Sequence, residues 1–459
     1  MASPYESRVT VAASLLDDIR EAVASGDATR AQALAARMLE EDALALLRDL
    51  APAELSRLFA ILGDEALANL LARLDDLDAA SILSRMSAAQ AADILEEIDP
   101  DDATDIFAAF EPAVGDTILV LMEAAEAAEI RELMAYPPDT AGGIMTPAFV
   151  ALAPDLRADQ AIAALRRVAE EAETVNYVYV VDPDDRLLGV LSLHRLVLTP
   201  PSTPVRDLMA TDIVTVPVDA DQEVAAHIVT EHDLLAVPVV DAQNRLVGII
   251  TADDVADVLE EEATEDIERL GGSSPLAVPY LRASPRLLFR KRIVWLLALF
   301  LAQFVTLSIY NRYTGMLEEQ VLLALFVPIL IGTGGNVGSQ TVTTIIRAMA
   351  VGEVAPRHAL QIVAKESVTA VALGLVMAAL MFGRGLWESD GSIDFGLTVG
   401  ATVMALIVWS AIVAAVLPLA LSKFKLDPAV VSAPLITSLV DATGIIIYFS
   451  VAQAVMQVG

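Results

Sequence analysis

Cysteine is absent from this chain of 459 residues, so disulfides and thiolate-held metal sites are excluded. Histidine is scarce: His194, His227, His232 and His358 are the only four, and no two stand four apart on a common helical face. No nucleophile–base pairing stands out either, so the chain is not expected to be an enzyme. Basic residues are few in the front half. From Arg286 onward there are 11 Lys/Arg against 9 Asp/Glu, which leaves a net −36 on residues 1–285. Such a surface repels nucleic acid and attracts cations. The N-terminus lacks a basic segment ahead of an apolar core, since Asp17 and Asp18 follow Leu15-Leu16 at once, so a cleaved signal peptide is not expected.

The last third is as apolar as the front is acidic. Five runs reach the ~20 residues that a bilayer requires: about Ile293–Tyr310, Val321–Ala350, Ile362–Phe382, Leu397–Leu421 and Ala429–Gln457. Arg282, Arg286, Arg290, Lys291 and Arg292 precede the first span. Arg347, Arg357 and Lys365 lie between the second and third, and Lys423 and Lys425 between the fourth and fifth. The opposite loops carry Glu318-Glu319 and Glu388, Asp390 and Asp394. By the positive-inside rule the front half is expected in the cytoplasm and the C-terminus outside an inner membrane.

Two spans are unusual. The second reads Pro328-Ile-Leu-Ile-Gly-Thr-Gly-Gly-Asn-Val-Gly-Ser-Gln340, where closely spaced glycines predict close helix approach or a kink beside a pore. Its Thr333, Asn336, Ser339, Gln340 and Thr341 are more polar groups than packing requires. The fifth carries Asp441, about fourteen residues and hence about 20 Å along a helix from Asp427. No Lys, Arg or His lies at a comparable depth to neutralise it. A carboxylate at membrane depth is costly and marks a functional path, so the pair predicts a cation pathway.

Residues 50–133 hold a repeat of period 12, with Leu50, Leu62, Leu74, Met86, Ile98, Phe110 and Met122 at its first position and Leu58, Leu70, Ile82, Ile94, Ile106, Ile118 and Ile130 eight residues on. Short helices of this kind cannot bury their faces alone and stack into a superhelix. After Pro137-Pro138 come two related segments. Met145-Thr-Pro leads to Asn176-Tyr-Val-Tyr-Val-Val-Asp182 and Arg186-Leu-Leu-Gly189-Val-Leu-Ser, and Met209-Ala-Thr leads to Leu235-Ala-Val-Pro-Val-Val-Asp241 and Arg245-Leu-Val-Gly248-Ile-Ile-Thr. The β-α-β-β-α pattern, present twice, resembles tandem cystathionine-β-synthase (CBS) domains, a resemblance that implies face-to-face pairing and adenosyl ligands. The second unit keeps the pair Thr251 and Asp254, of the type that holds a ribose in such domains. The first has Ser192 and Arg195, without the acid, so ATP binding is possible and stays open.

Asp253, Asp254, Asp257, Glu260, Glu261, Glu262, Glu265, Asp266 and Glu268 then follow with no basic residue among them. Like charges at i,i+4 destabilise a helix. Hard divalent cations held through oxygen are the natural counterions.

With these residues in hand, the chain is similar to the MgtE family of magnesium channels and transporters over essentially its whole length. The motifs are Tyr136-Pro-Pro-Asp-Thr-Ala-Gly-Gly-Ile-Met145, Glu262-Ala-Thr-Glu-Asp-Ile-Glu-Arg-Leu-Gly271, Gly332-Thr-Gly-Gly-Asn-Val-Gly-Ser-Gln340 and Asp427-Pro-Ala with Asp441-Ala-Thr-Gly444. The implied organisation is multidomain: an acidic α-helical superhelix over 1–136, CBS domains over 137–200 and 201–252, an acidic connecting (plug) helix and linker over 253–285, and a five-helix transmembrane domain over 286–459. The resemblance implies a homodimer with Asp441 of each chain at a pore ion site, beside Thr333, Gly335, Asn336 and Gln340. It implies that cytoplasmic Mg2+ closes the pore by binding between superhelix, CBS units and plug. The residues carried over by position are Asp233, Asp254, Asp257, Glu262, Glu265 and Asp266, with Glu223, Asp427 and the array residues Asp101, Asp102 and Asp105. Some members have Asn just before the proline of span five, where this chain has Ala433, which places more weight on Asn336 and backbone carbonyls. A less selective divalent-cation carrier of the same fold, and a membrane-anchored CBS sensor without transport, are the alternatives. The intramembrane carboxylate argues against the sensor.

Overall fold

Helix starts recur every twelve residues through the front of the chain. The computed structural model describes residues 18–23, 25–36, 44, 47, 52–168, 172–276, 278–424 and 426–457, with the side chains of 52–56 left aside. Leu15, Leu16, Asp17, Leu50 and Lys425 lie outside the described residues. After α1 (Ala28–Ala35) come α2 (Pro52–Leu62), α3 (Asp64–Leu71), α4 (Asp76–Leu83), α5 (Ala88–Leu95), α6 (Pro100–Ala109) and α7 (Pro112–Leu121), with α8 (Glu126–Leu133) closing the array. Asp75 and Ser87 cap their helices through side-chain oxygens, and Pro100 and Pro112 sit at first-turn positions where the missing N–H costs nothing. Each helix from α3 to α6 packs on its second neighbour along the chain. This stacking buries Leu58, Leu70, Ile82, Ile94, Ile106, Ile118 and Ile130 in one continuous core. The repeat therefore folds as the helical array its period predicts.

The two α/β units follow. β1 (Ala151–Leu152), α9 (Ala158–Val168), β2 (Tyr177–Val181), β3 (Leu187–Ser192) and α10 (Leu193–Leu198) form the first. β4 (Val216–Pro217), α11 (Gln222–Glu231), β5 (Ala236–Val240) and β6 (Leu246–Thr251) form the second, and α12 (Ala252–Leu270) continues from it. Each sheet runs first strand parallel to second, and second antiparallel to third. The leading Met segments are exchanged between units. Met145 lies against Gly248 and Thr146 N–H bonds Ile249 O at 2.8 Å, while Met209 lies against Gly189 and Ala210 N–H bonds Val190 O at 2.9 Å. A Cβ at Gly248 would stand 2.6 Å from Met145 Sδ, so the close approach requires glycine there.

The chain divides into two compact units, Met1–Glu260 and Glu261–Gly459, with α12 beginning in the first and ending in the second. The second unit holds five helices long and apolar enough to cross a membrane. They are α13 (Pro285–Asn311), α15 (Val321–Ala350), α16 (Ala359–Glu388), α17 (Ile393–Lys423) and α18 (Ala433–Met456), with the short α14 (Thr314–Glu319) after the first. Of the two alternatives for span two the structure shows close helix approach, and one expectation, about span five, is corrected. Span two is one unbroken helix through Pro328 and its glycines. Those glycines serve close packing: a Cβ at Gly334 would meet Val440 at 2.9 Å, and one at Gly338 would meet Ile436 and Ser410 Oγ at 2.6 Å. Span five begins at Ala433, capped by Ser432, after a separate 3-10 turn at Pro428–Val430. Asp441 is therefore about 12 Å up its own helix, and no continuous helix carries it 20 Å from Asp427.

Candidate functional site

Three groups of side chains carry the chemistry. The first lies where α6 begins. Asp99 precedes the helix, and Asp101 and Asp102 occupy its first turn, where the helix dipole favours acids. Asp101 is only 9% exposed, and its Oδ1 is buried without a hydrogen-bond partner. Asp254, in the first turn of α12, accepts from Thr251 Oγ1 at 2.5 Å and Thr251 N at 3.0 Å. Glu173, in the loop before β2, is held by its backbone N–H to Ala148 O at 2.9 Å, and its Oε2 is also buried and unpartnered. Burial, then the charge of Asp254 and Asp102, pushes Asp101 up to about 8. Burial, then Asp254, Asp99 and Asp105, pushes Asp102 up to about 7. Glu173 is pushed up to about 8 by burial and by Asp99, Asp101 and Asp254. Burial also raises Asp254 in spite of its bonds from Thr251, and raises Asp257 alongside Glu260. Orphaned carboxylate oxygens among mutually repelling acids fit a hard cation bound through oxygen. Among the described residues, no three such side chains already converge closely enough to hold an ion. Of the residues named from sequence, Asp101, Asp102, Asp105 and Asp254 come together here; Glu223 lies in the first turn of α11, and Asp233 in the left-handed position after it (φ +51°).

Sequence reasoning missed Glu173, which nothing in its local pattern marks. Asp254 is drawn into this acidic group. The cavity of 490 Å3 in the CBS pair lies at the other unit, lined by Asn176, Tyr177, Ser192, His194 and Leu235.

The second group joins the end of α12 to the start of span five. Arg269 forms ion pairs with both Glu265 and Asp427. Asp427 also accepts from Ala429 N at 2.7 Å, and burial and Asp427 push Asp266 up to about 6. Glu265, Asp266 and Asp427, all expected as metal ligands, are thus brought together around a guanidinium that stands one residue beyond the acidic run. Glu262 adds to the field on Asp266. The chain then turns at Gly272 (φ +74°), where a Cβ would lie 2.8 Å from Trp295 Nε1. Trp295 in turn donates to Ser432 Oγ, the cap of α18, at 3.0 Å.

The third group is inside the membrane helices. Asp441 Oδ2 accepts from Gln303 Nε2 of α13 at 3.2 Å. Gly335 faces Thr437, one turn before Asp441, and Thr437 Oγ1 lies 3.4 Å from Ser339 Oγ. Thr333 bonds back to Ile329 O at 2.7 Å, while Asn336 and Gln340 share an exposed face of α15. Trp409 Nε1 donates to Thr443 Oγ1 at 2.9 Å, fixing α18 from the side of span four.

An acidic helical array, a CBS pair and five apolar helices with a carboxylate at depth define a multi-pass membrane protein of the divalent-cation transporter class. Residues 327–451 match the MgtE family described as a divalent cation transporter, residues 38–139 match the MgtE intracellular N domain, and 141–199 and 205–261 match CBS domains. The chain is 41% identical over 337 residues to the magnesium transporter MgtE of Thermus thermophilus, covering 73% of this chain and 74% of that one. It is 33% identical to its counterpart from Enterococcus faecalis, over 72% of each chain. The solved soluble part of a magnesium transporter aligns at a TM-score of 0.51 and 30% identity, covering 55% of this chain and 99% of that one. The chain belongs to the MgtE family.

Proposed function

We propose that this protein carries Mg2+ across an inner membrane as a homodimeric channel, with Asp441 at the ion site and Thr333, Gly335, Asn336 and Gln340 beside the path. The observation that carries this reading is Asp441 itself: a carboxylate inside a membrane helix whose described partner is a neutral amide, so its charge is left for a cation. Two such groups on a dimer axis would balance one divalent ion. Mg2+ sheds water reluctantly and favours few carboxylates, which suits this sparse site.

Closure is proposed to follow from cytoplasmic Mg2+ held by Asp101, Asp102, Asp105 and Asp254 with Asp257, and by Glu262, Glu265, Asp266 and Asp427, with Glu223 and Asp233 as further ligands. Without the ions, the raised carboxyl groups of the first group repel one another on ionisation, and the acidic helix loosens. In this reading the front half lies in the cytoplasm and the C-terminus outside. The reading contains no catalytic step; ATP, if bound, would have a regulatory part through the CBS pair.

The test is Mg2+ uptake into proteoliposomes, wild type beside D441A, with low and high Mg2+ on the cytoplasmic face. Flux that needs Asp441 and falls at high cytoplasmic Mg2+ is expected. Undiminished flux in folded D441A would move the ion site elsewhere, and no flux in verified wild-type dimer would leave the sensor reading.

A further inference from the structure

Gln303 is a costly residue where it stands. Mid-span in α13, a helix with no buried residues of its own, its amide would be unsatisfied against lipid unless another helix supplies a partner. Three contacts fix which helix does so. Trp295 meets Ser432, Gln303 meets Asp441, and Tyr310 meets Phe449 with ring centroids 6.3 Å apart. The separations along the chain are 137, 138 and 139 residues, so α13 and α18 run parallel and in register on both sides of the amide–carboxylate pair. The pairing is built into the helix packing, and one turn of slippage in either helix would break all three contacts.

Resting on the assignment of Asp441 as the ion site, we propose that Gln303 is a positioning and specificity residue, which withholds one carboxylate oxygen so that Asp441 cannot chelate an ion through both. The amide donates to Oδ2, and Oδ1 has no hydrogen-bond partner among the described residues. An amide is neutral, so the bond fixes the carboxylate without cancelling its charge, as Arg or Lys would. One free oxygen suits Mg2+, which takes its ligands singly and at octahedral positions, whether the contact is direct or through its water shell. Ca2+ accepts a bidentate carboxylate and a larger, looser shell. Holding Oδ2 away therefore penalises Ca2+ more than Mg2+. Partners that orient a ligand in this way are worth about 10- to 100-fold in metal affinity.

The experiment compares wild type, Q303L, Q303M and D441N in proteoliposomes, reading Mg2+ flux against Mg2+ concentration and its block by Ca2+. Leucine and methionine keep the bulk and remove the donor. Half-saturating Mg2+ is expected to rise about tenfold in both variants, by more than the maximal flux changes, and Ca2+ is expected to block at correspondingly lower concentration. Unchanged half-saturation and unchanged Ca2+ block, with D441N inactive, would overturn this proposal and leave the ion site standing. Flux retained in D441N would overturn the ion site itself. A second measurement does not depend on the Gln303 variants folding: the infrared difference spectrum of wild type minus D441N in Mg2+ and in Ca2+. The separation of the carboxylate stretching bands should show no chelating mode with either ion, and a chelating signature with Ca2+ in wild type refutes the role given to Gln303.

Discussion

Under the proposed function, Mg2+ binding to the acidic front of the chain should expel protons, and the number can be worked from the acidic group at the start of α6. Asp101 and Glu173 titrate near 8 and Asp102 near 7, against ordinary values of 3.8 and 4.5. At pH 7 the packed arrangement thus holds about two protons that the same carboxyls, separated and solvated, have already lost. All three values are raised, so the protons favour the packed state in acid, and that contribution is lost as pH rises through 7 to 8. Two to three protons over this range correspond to roughly 3–4 kcal/mol of docking free energy per pH unit between about pH 5 and 7. A divalent ion replaces them. Apparent Mg2+ affinity should therefore increase by about tenfold per proton, roughly a few hundredfold from pH 6 to pH 7, and level off above about pH 9. The assay is a pH-indicator dye in weak buffer with the full chain in detergent, titrated with Mg2+ at pH 7, wild type beside a D101N/E173Q variant. About two protons per chain should appear from this group, and most should vanish in the variant. Equal release in both proteins, or none at pH 7, would refute the reasoning.

With Glu265 and Asp427 as the proposed metal ligands, Arg269 would compete with the ion for them, so R269Q should shift Mg2+ protection of residues 250–276 from protease to lower Mg2+, while increasing cleavage in its absence. The pair is about a third exposed, and the tether is worth no more than about 1 kcal/mol; an unchanged midpoint would show that the guanidinium does not occupy the ion's place. G272V adds a Cβ at φ +74° within 2.7 Å of the Trp295 ring and should destabilise the membrane unit by about 1–3 kcal/mol. Thermal unfolding in detergent reads that loss, and a melting temperature equal to wild type would contradict the close packing described there.

The array was legible because a period of 12 repeated over seven turns leaves one solution, in which the same two positions face one core. The CBS pair was legible for a related reason: alternating β-branched strands in a β-α-β-β-α pattern that occurs twice. Asp441 was legible because charge at membrane depth is expensive. The glycine run in span two left two readings open, and the structure selects close approach. Glycine serves both a broken helix and a close contact, and only the neighbours decide; here Val440, Thr437 and Ile436 occupy the space that side chains on Gly334, Gly335 and Gly338 would need. Treating Asp427 and Asp441 as points on one helix failed because Asp427-Pro428 opens a 3-10 turn, and Ser432-Ala433-Pro434 starts the helix afresh.

Glu173, Arg269 and Gln303 share a reason for escaping notice. Each acts on a partner distant along the chain, and each is ordinary among its own neighbours: a loop acid, a basic residue ending a helix, a lone amide in an apolar run. Their effects follow from what the partner lacks. Asp101 has an orphaned oxygen, and Glu173 adds a second beside it, which raises the cost of leaving the group without an ion. Glu265 and Asp427 would repel, and Arg269 holds them together at the expense of their use by metal. Asp441 has charge without orientation, and Gln303 supplies orientation without charge. A cation at the first two places has to replace protons or a guanidinium. At the third, under the proposed function, it would meet a carboxylate already turned toward it, as a path for ions rather than a sensor requires.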